Sequence, residues 1–474
     1  MKKTTLFSAL FTVFLLTACE KNLEEVPLSF FEESNSFNSA ADATSAINGV
    51  YDRLKNIYGM TMINLADLNS DECEVREDNG SGDEIHKNLF NSGTSLFDGF
   101  YTNSYVLIDR ANRVIANVPK ITMDTKLRDQ IVGEAKFLRA LTYFNLVRAF
   151  GDIPLVTSVS NDVINVQIPR EPAEKVYQQI ISDLQEAEKT LPVRYTAASE
   201  NGRATIGAAK SMLAKVYLTR KDWANAASKA KEVIDSKAYA LFADFKDVFL
   251  PEKENGTEHI FSIQYSCVLP AYGSPMAVNF SIYFSYPINL TGGSYQVVPQ
   301  HAASYLSGDL RKDVTVIYEK KIANGTVVAS RTGPHLDKYW DPQACGSQSA
   351  RNNFLVIRYA DVLLMYAEAL NELNGPTTEA YTAINLVRAR ARKTPADLKD
   401  FSNLTQTQLR EAIWQERSWE LCFEGHRRWD LLRIGKYIEK MKKIGINAEA
   451  KHLLYPIPIQ EIDVNPALVQ NPGY

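Results

Sequence analysis

Fifty consecutive residues in the middle of this chain, His259 to Gly308, contain no Asp, Glu, Lys or Arg, although 23% of the whole sequence is charged. Other absences narrow the function. Beyond the first 16 residues no apolar run approaches the roughly 20 residues that a membrane-spanning helix needs, so the body is expected to lie outside the bilayer. The six histidines (His86, His259, His301, His335, His426, His452) form no HExxH motif and no paired spacing, so a zinc site has no support. There is no G-x-S-x-G elbow, no phosphate loop and no G-x-G-x-x-G after a strand, and no cofactor is expected. No basic stripe or arginine-rich arm is present, which argues against nucleic acid. Cysteine is scarce, with five in the chain and no CxxC.

The N-terminus carries an export signal. Lys2 and Lys3 precede an apolar stretch from Leu6 to Leu16, which has the charge and length of a secretory leader. Leu16-Thr17-Ala18-Cys19 then puts a cysteine directly after small residues, the lipobox pattern of bacterial lipoproteins. Cleavage before Cys19 and acylation of that residue would anchor the chain durably, each buried CH₂ contributing about 0.8 kcal/mol. Loss of Lys2 and Lys3 with the leader takes the formal charge from −4 to −6. The cysteines left (Cys73, Cys267, Cys345, Cys422) could form a disulfide outside the cytoplasm or stay as buried thiols.

Most of the remainder reads as helix. A 3.6-residue apolar period runs through Ala40–Tyr58, Leu96–Val118 and Leu127–Phe150, and Gly151-Asp152-Ile153-Pro154 stops the last of these. Pro172–Leu191 follows, with Pro at its first turn. Ala204–Lys221 with Trp223–Ser236, and Arg358–Leu373 with Thr377–Ala391, read as two helix hairpins whose large, small and aromatic spacing resembles tetratricopeptide pairs. The fold class expected is mainly α, an irregular helical protein with such pairs plus a loop-rich segment with short strands. Prolines break the period between Ala238 and Ala350, and Val314–Lys321 and Val327–Arg331 flank Asn324-Gly325 as a hairpin.

The charge-free stretch is also rich in aromatics and amides. Aromatic rings offer flat apolar faces with polar tips, and amides both donate and accept hydrogen bonds. That combination suits a neutral, hydroxyl-rich ligand such as a sugar, although a buried core segment has the same composition. The ligand-binding candidates are Tyr272, Asn279, Tyr283, Tyr286, Asn289, Tyr295 and Trp340, with phenylalanines expected inward and some tyrosines outward. Asp67 to Glu84 is acidic and contains glycine, and is expected to be a solvated loop within reach of a ligand. Its Asp67-x-Asn69-x-Asp71 start mimics a calcium loop, but Glu72 and Asp78 stand where glycine and the bidentate Glu belong. Glu416, Glu420 and Glu424 share one helix face beside Arg417, Arg427, Arg428 and Arg433, which favours a charge network over a catalytic acid.

The stretch from Arg410 to Arg433, with Glu416-Arg417, Glu420-Leu421, Phe423-Glu424-Gly425 and Asp430-Leu431, resembles the signature of the SusD/RagB family. The closing Pro456-Ile457-Pro458, Glu461, Asn465-Pro466 and Gln470-Asn471-Pro472-Gly473-Tyr474 match that family's end. Arg358–Ala369, with Asp361 where Glu is usual, resembles its helix, and Ser70-Asp71-Glu72 and Glu134–Phe144 resemble its N-terminal half. The resemblance implies a leader over 1–18, a helical N-terminal region over 19–237 and a C-terminal region with ligand loops over 238–474. It further implies a non-enzymatic lipoprotein of the outer membrane facing the cell exterior. Such a protein captures oligosaccharides and passes them to a SusC-like TonB-dependent transporter. A peptide-binding loader of the RagB branch and a glycoside hydrolase are the alternatives.

Overall fold

A computed structural model of the chain describes residues 37–76, 79–159, 167–268, 272–282, 292–322, 325–345 and 349–474. The leader, Cys19, Tyr283, Tyr286 and Asn289 lie outside the described residues.

The long helices are α1 Ala40–Arg53, α2 Ser95–Asn117, α3 Thr125–Phe150, α4 Ala173–Thr190, α5 Ile206–Thr219, α6 Trp223–Asp235, α7 Tyr359–Asn374, α8 Thr378–Arg390 and α9 Gln406–Leu421. Their ends follow local chemistry. Ser39 and Asp42 form a capping box at α1, and Thr405 and Gln408 form one at α9. α3 ends at Gly151, whose φ of +74° suits glycine, and a Cβ there would meet Leu454 at 2.9 Å. α3 is the central post: from Phe137 to Val147 every residue is buried. It packs on α2 and α4, and α4 packs on α5. α5–α6 and α7–α8 are the two expected helix hairpins. Although 123 residues separate the ends of α6 and α7, these helices pack directly on each other, so the pairs stack in space. One apolar cluster runs from Ala43 to Leu468, and a second lies where Leu363 and Ala367 of α7 meet Ala380 and Ile384 of α8 and Ile413 of α9.

Short strands join distant parts of the chain. β1 Cys73–Val75 pairs antiparallel with β3 Tyr295–Val297, and β2 His259–Ile263 pairs antiparallel with β6 Phe354–Arg358. β4 Glu319–Lys321 and β5 Val327–Ala329 pair antiparallel as the expected hairpin. It is shorter than expected, because Lys312–Thr315 is a helical turn that takes up Val314.

The acids of the last long helix are locked. Arg358, at the start of α7, donates to Glu258 (2.8 Å), Glu420 (2.5 Å) and Glu424 (2.7 Å). Arg311 donates to Asp309 (2.6 Å), Glu416 (2.7 Å) and Glu420 (3.1 Å), and Arg388 and Lys338 complete the set on Glu416 and Glu424. Burial would raise the pKa of Glu420 and Glu424, but the surrounding Arg and Lys charges hold both below the usual carboxylate range. A general acid for glycoside cleavage needs a raised pKa, so these residues tie helices together and have the wrong electrostatics for that task.

The acidic segment is not the solvated loop expected. Asp67, Asn69, Ser70 and Glu72 have no exposure at all. Their partners come from the other end of the sequence: Gly425 N–H donates to Asp67 (2.8 Å), Ser418 to Glu72 (2.6 Å) and Arg427 to Asp71 (2.6 Å). Residues 73–75 form β1, and Gly80–His86 is a helical turn capped by Asn79.

Candidate ligand-binding cleft

β1 and β3 bring the acidic segment and the charge-free stretch into contact. Gln296 of β3 is buried; its Nε2 bonds Thr332 and reaches His335 Nε2 at 3.1 Å, while Val297 N–H donates to Pro334 (2.8 Å). Burial pushes His335 down to about 4, so the ring is neutral at physiological pH. β3 is thereby fixed on both sides. Beside it opens a cleft of about 550 Å³, lined by Asn64, Ser81, Gly82, Glu84, Asn91, Thr94 and Tyr295 among others.

The cleft wall is held by short-range bonds. Asn91 Oδ1 accepts from Gly93 N–H (2.8 Å), and Thr94 Oγ1 donates to Glu84 (2.6 Å). Tyr295 donates its hydroxyl to Asn64 Oδ1 at 2.7 Å, and burial raises its pKa. The polar part of the lining is therefore hydroxyls, amides and one carboxylate already engaged by Thr94, and Ile85 and Leu96 add apolar surface. It can exchange hydrogen bonds with a hydroxyl-rich ligand; no metal-holding cluster of His, Cys, Asp or Glu occurs among the described residues.

The sequence-derived candidates do not gather in this cleft. Tyr295 lines it but is only 6% exposed, so it presents an edge and a hydrogen-bonded tip instead of an open face. Asn279 is half-buried and spends its Nδ2 on Pro275 O (2.8 Å). Tyr272 is 42% exposed, with the Lys55 ammonium 4.3 Å from its ring centre. Trp340 is half-buried under Lys320, 4.4 Å from its ring, and that ammonium is held by Asp337 at 2.6 Å. Phe261 and Phe280 point inward as expected, but Tyr305 is buried too, its hydroxyl donating to Trp419 O (3.2 Å). Cys267 and Cys345 are joined in a disulfide, while Cys73 and Cys422 are buried free thiols. The bond ties the strand end before Tyr272 to the loop after Trp340, and an antiparallel bridge between Ser274 and Ala350 runs alongside.

Two family models match the chain, one described as "SusD family" over residues 278–474 and one as "Starch-binding associating with outer membrane" over residues 23–218. The chain belongs to the SusD/RagB family. A SusD-like protein of Formosa agariphila is 29% identical, with all of both chains aligned. A solved SusD homologue from Bacteroides thetaiotaomicron is 26% identical, with a TM-score of 0.83, covering 93% of this chain and 98% of its own. A solved laminarin-binding SusD-like protein is also 26% identical, with a TM-score of 0.80, covering 92% of this chain and all of its own. The mainly helical fold read from the sequence is thus the fold of its family. Ser81 and Glu84 lie in the acidic segment expected to meet ligand, whereas Asn64, Asn91 and Thr94 were not legible as site residues, because single polar residues at a helical turn, in a loop and at a helix cap leave no periodic signal.

Proposed function

We propose that this SusD-family protein captures oligosaccharides at the outer surface of the outer membrane and hands them to a SusC-like TonB-dependent transporter. Cys19 would carry the lipid anchor. The observation that carries the reading is the cleft beside β3: a polar lining with little charge, on a fold whose solved relatives include a laminarin-binding protein. Sugars are neutral and covered with hydroxyls, so such a lining exchanges hydrogen bonds with them without the cost of stripping water from an ion. The Cys267–Cys345 bond supports export, since disulfides persist in oxidising compartments. Catalysis is not part of the reading: relatives are described as binding proteins, and the carboxyls of the buried Glu420 and Glu424 are held low.

The test is a glycan array probed with the chain from Glu20 onward. Binding to one glycan class, weakened by Ser81→Trp, which fills the cleft, supports capture there. Silence on all glycans with binding of extended peptides would replace sugar by peptide as the cargo.

A further inference from the structure

Two cavities flank β2 on another side of the molecule and share no residue with the β3 cleft. One, of about 350 Å³, is walled by Tyr195, Tyr239 and Asn255; the other, of about 420 Å³, by Asn48, Tyr51 and Lys55. They have Asn201, Gly202, Arg203, Phe261 and Ser262 in common, so they are the two halves of one groove. Gly202 forms its waist. With φ at +85° it lies so close to β2 that a Cβ would come within 2.3 Å of the Gln264 side chain. Arg203 crosses the waist, its guanidinium bonded to Glu134 (2.7 Å) and to Asn48.

The groove repeats, in a different place, the chemistry that singled out the charge-free stretch. Tyrosine rings with polar tips alternate with neutral amides. Three cations line it, Arg194, Arg203 and Lys55; Glu134 pairs with Arg203 at 2.7 Å, Asp52 pairs with Lys55 at 3.1 Å, and Glu200 stands in the same wall as Arg194, so charges of both signs are present and the lining does not single out an anion. Ser262 sits where the halves join, 3% exposed, and its hydroxyl has no hydrogen-bond partner. An unpaired buried hydroxyl is unfavourable until a partner reaches it. At the far end Lys55 lies against the exposed ring of Tyr272. Tyr272, which has no part in the β3 cleft, therefore stands at the mouth of this groove.

We infer that the β2 groove is a second carbohydrate site, taking a neutral oligosaccharide laid between Tyr272 and Tyr239. The inference rests on the proposed glycan-capture function and adds a separate location to it. A protein with two such sites would hold a long chain at two points, and the second contact would be made at raised effective concentration.

The experiment is isothermal titration of laminarihexaose and of maltohexaose into the full mature chain and its variants. Ser81→Trp closes the β3 cleft, and Asn201→Trp, at an exposed position shared by both halves, closes the groove. The expected result is that Ser81→Trp leaves residual binding that Asn201→Trp then removes. Ser262→Ala should weaken that residual binding about three- to tenfold, the range set by one hydrogen bond. Its thermal midpoint should hold or rise, because it removes only an unpaired hydroxyl. If Ser81→Trp alone abolishes all binding, or Asn201→Trp and Ser262→Ala change nothing, the second site is overturned and the capture function stands. If the unaltered chain binds neither glucan, the second site is overturned, and the array decides the capture function separately.

Discussion

In α9 and its neighbours, Glu416, Glu420 and Glu424 are wholly buried and each meets two or more cations, whereas Asp67 and Glu72, equally buried beside β1, meet fewer. Asp67 accepts from a backbone N–H and leaves Oδ1 unpaired, and Glu72 leaves Oε2 unpaired. Burial pushes Asp67 up to about 7 and Glu72 well above its usual value, while Glu420 and Glu424 are held low. Depth alone therefore does not set the behaviour of these acids; the number of cations brought to them does. The fully paired set fastens the helical body. The under-paired set underlies Asn64 and β1, the elements that shape the candidate cleft, so that cleft is built on the less fully paired of the two.

The sharpest way to break the comparison is to remove the central cation. Arg358→Met takes one cation from each of Glu258, Glu420 and Glu424, leaving them with Arg390, Arg311 and Lys338, and should cost roughly 3–5 kcal/mol, read as a large drop in denaturation midpoint. A loss below about 1 kcal/mol would mean that the network contributes little. Next, the double variant Cys267→Ser/Cys345→Ser opens a link across a separation of 78 residues. It should lower stability by about 2–4 kcal/mol, again by denaturant titration.

Asp67→Asn should act in the opposite direction. The folded pKa of Asp67, about 7, lies above its ordinary 3.8. The group therefore favours the folded state most below pH 3.8, and that contribution is lost as the pH rises through about 7. An amide does not ionise, so the variant should match the parent near pH 4 and exceed it at pH 8 by roughly 1–3 kcal/mol. A difference that does not change with pH would contradict the assignment. The smallest effect on stability is expected at the exposed ring: Tyr272→Ala should leave the thermal midpoint within about a degree, yet weaken glycan binding by about 1–3 kcal/mol, as at other stacking platforms. A shift in midpoint with no change in binding would make that ring structural.

The long helices were legible because a 3.6-residue apolar period over 13 to 26 residues has few alternatives. The acids around α9 were legible as part of a charge network, but their partners were not: Arg311, Arg358, Arg388 and Lys338 hold them from remote parts of the sequence, whereas Arg417 and Arg433 of the same window pair with Asp430 and Arg427 pairs with Asp71. The Asn64–Cys73 segment was not, because its partners Ser418, Gly425 and Arg427 lie more than 340 residues away and a polar sequence with remote partners looks like surface. Tyr295 and Trp340 were legible as aromatic candidates, but the Asn64 and Lys320 groups that occupy them were not. The second groove depends on Asn201–Arg203 meeting β2, a juxtaposition that no local pattern announces.

The central claim is capture of a hydroxyl-rich, neutral ligand at the β3 cleft. Its most direct test is the glycan array on the chain from Glu20 onward, with Ser81→Trp in parallel. The account predicts binding to a single class of neutral glycan and a clear loss in the variant. Binding confined to peptides, or glycan binding that Ser81→Trp does not touch, would contradict it.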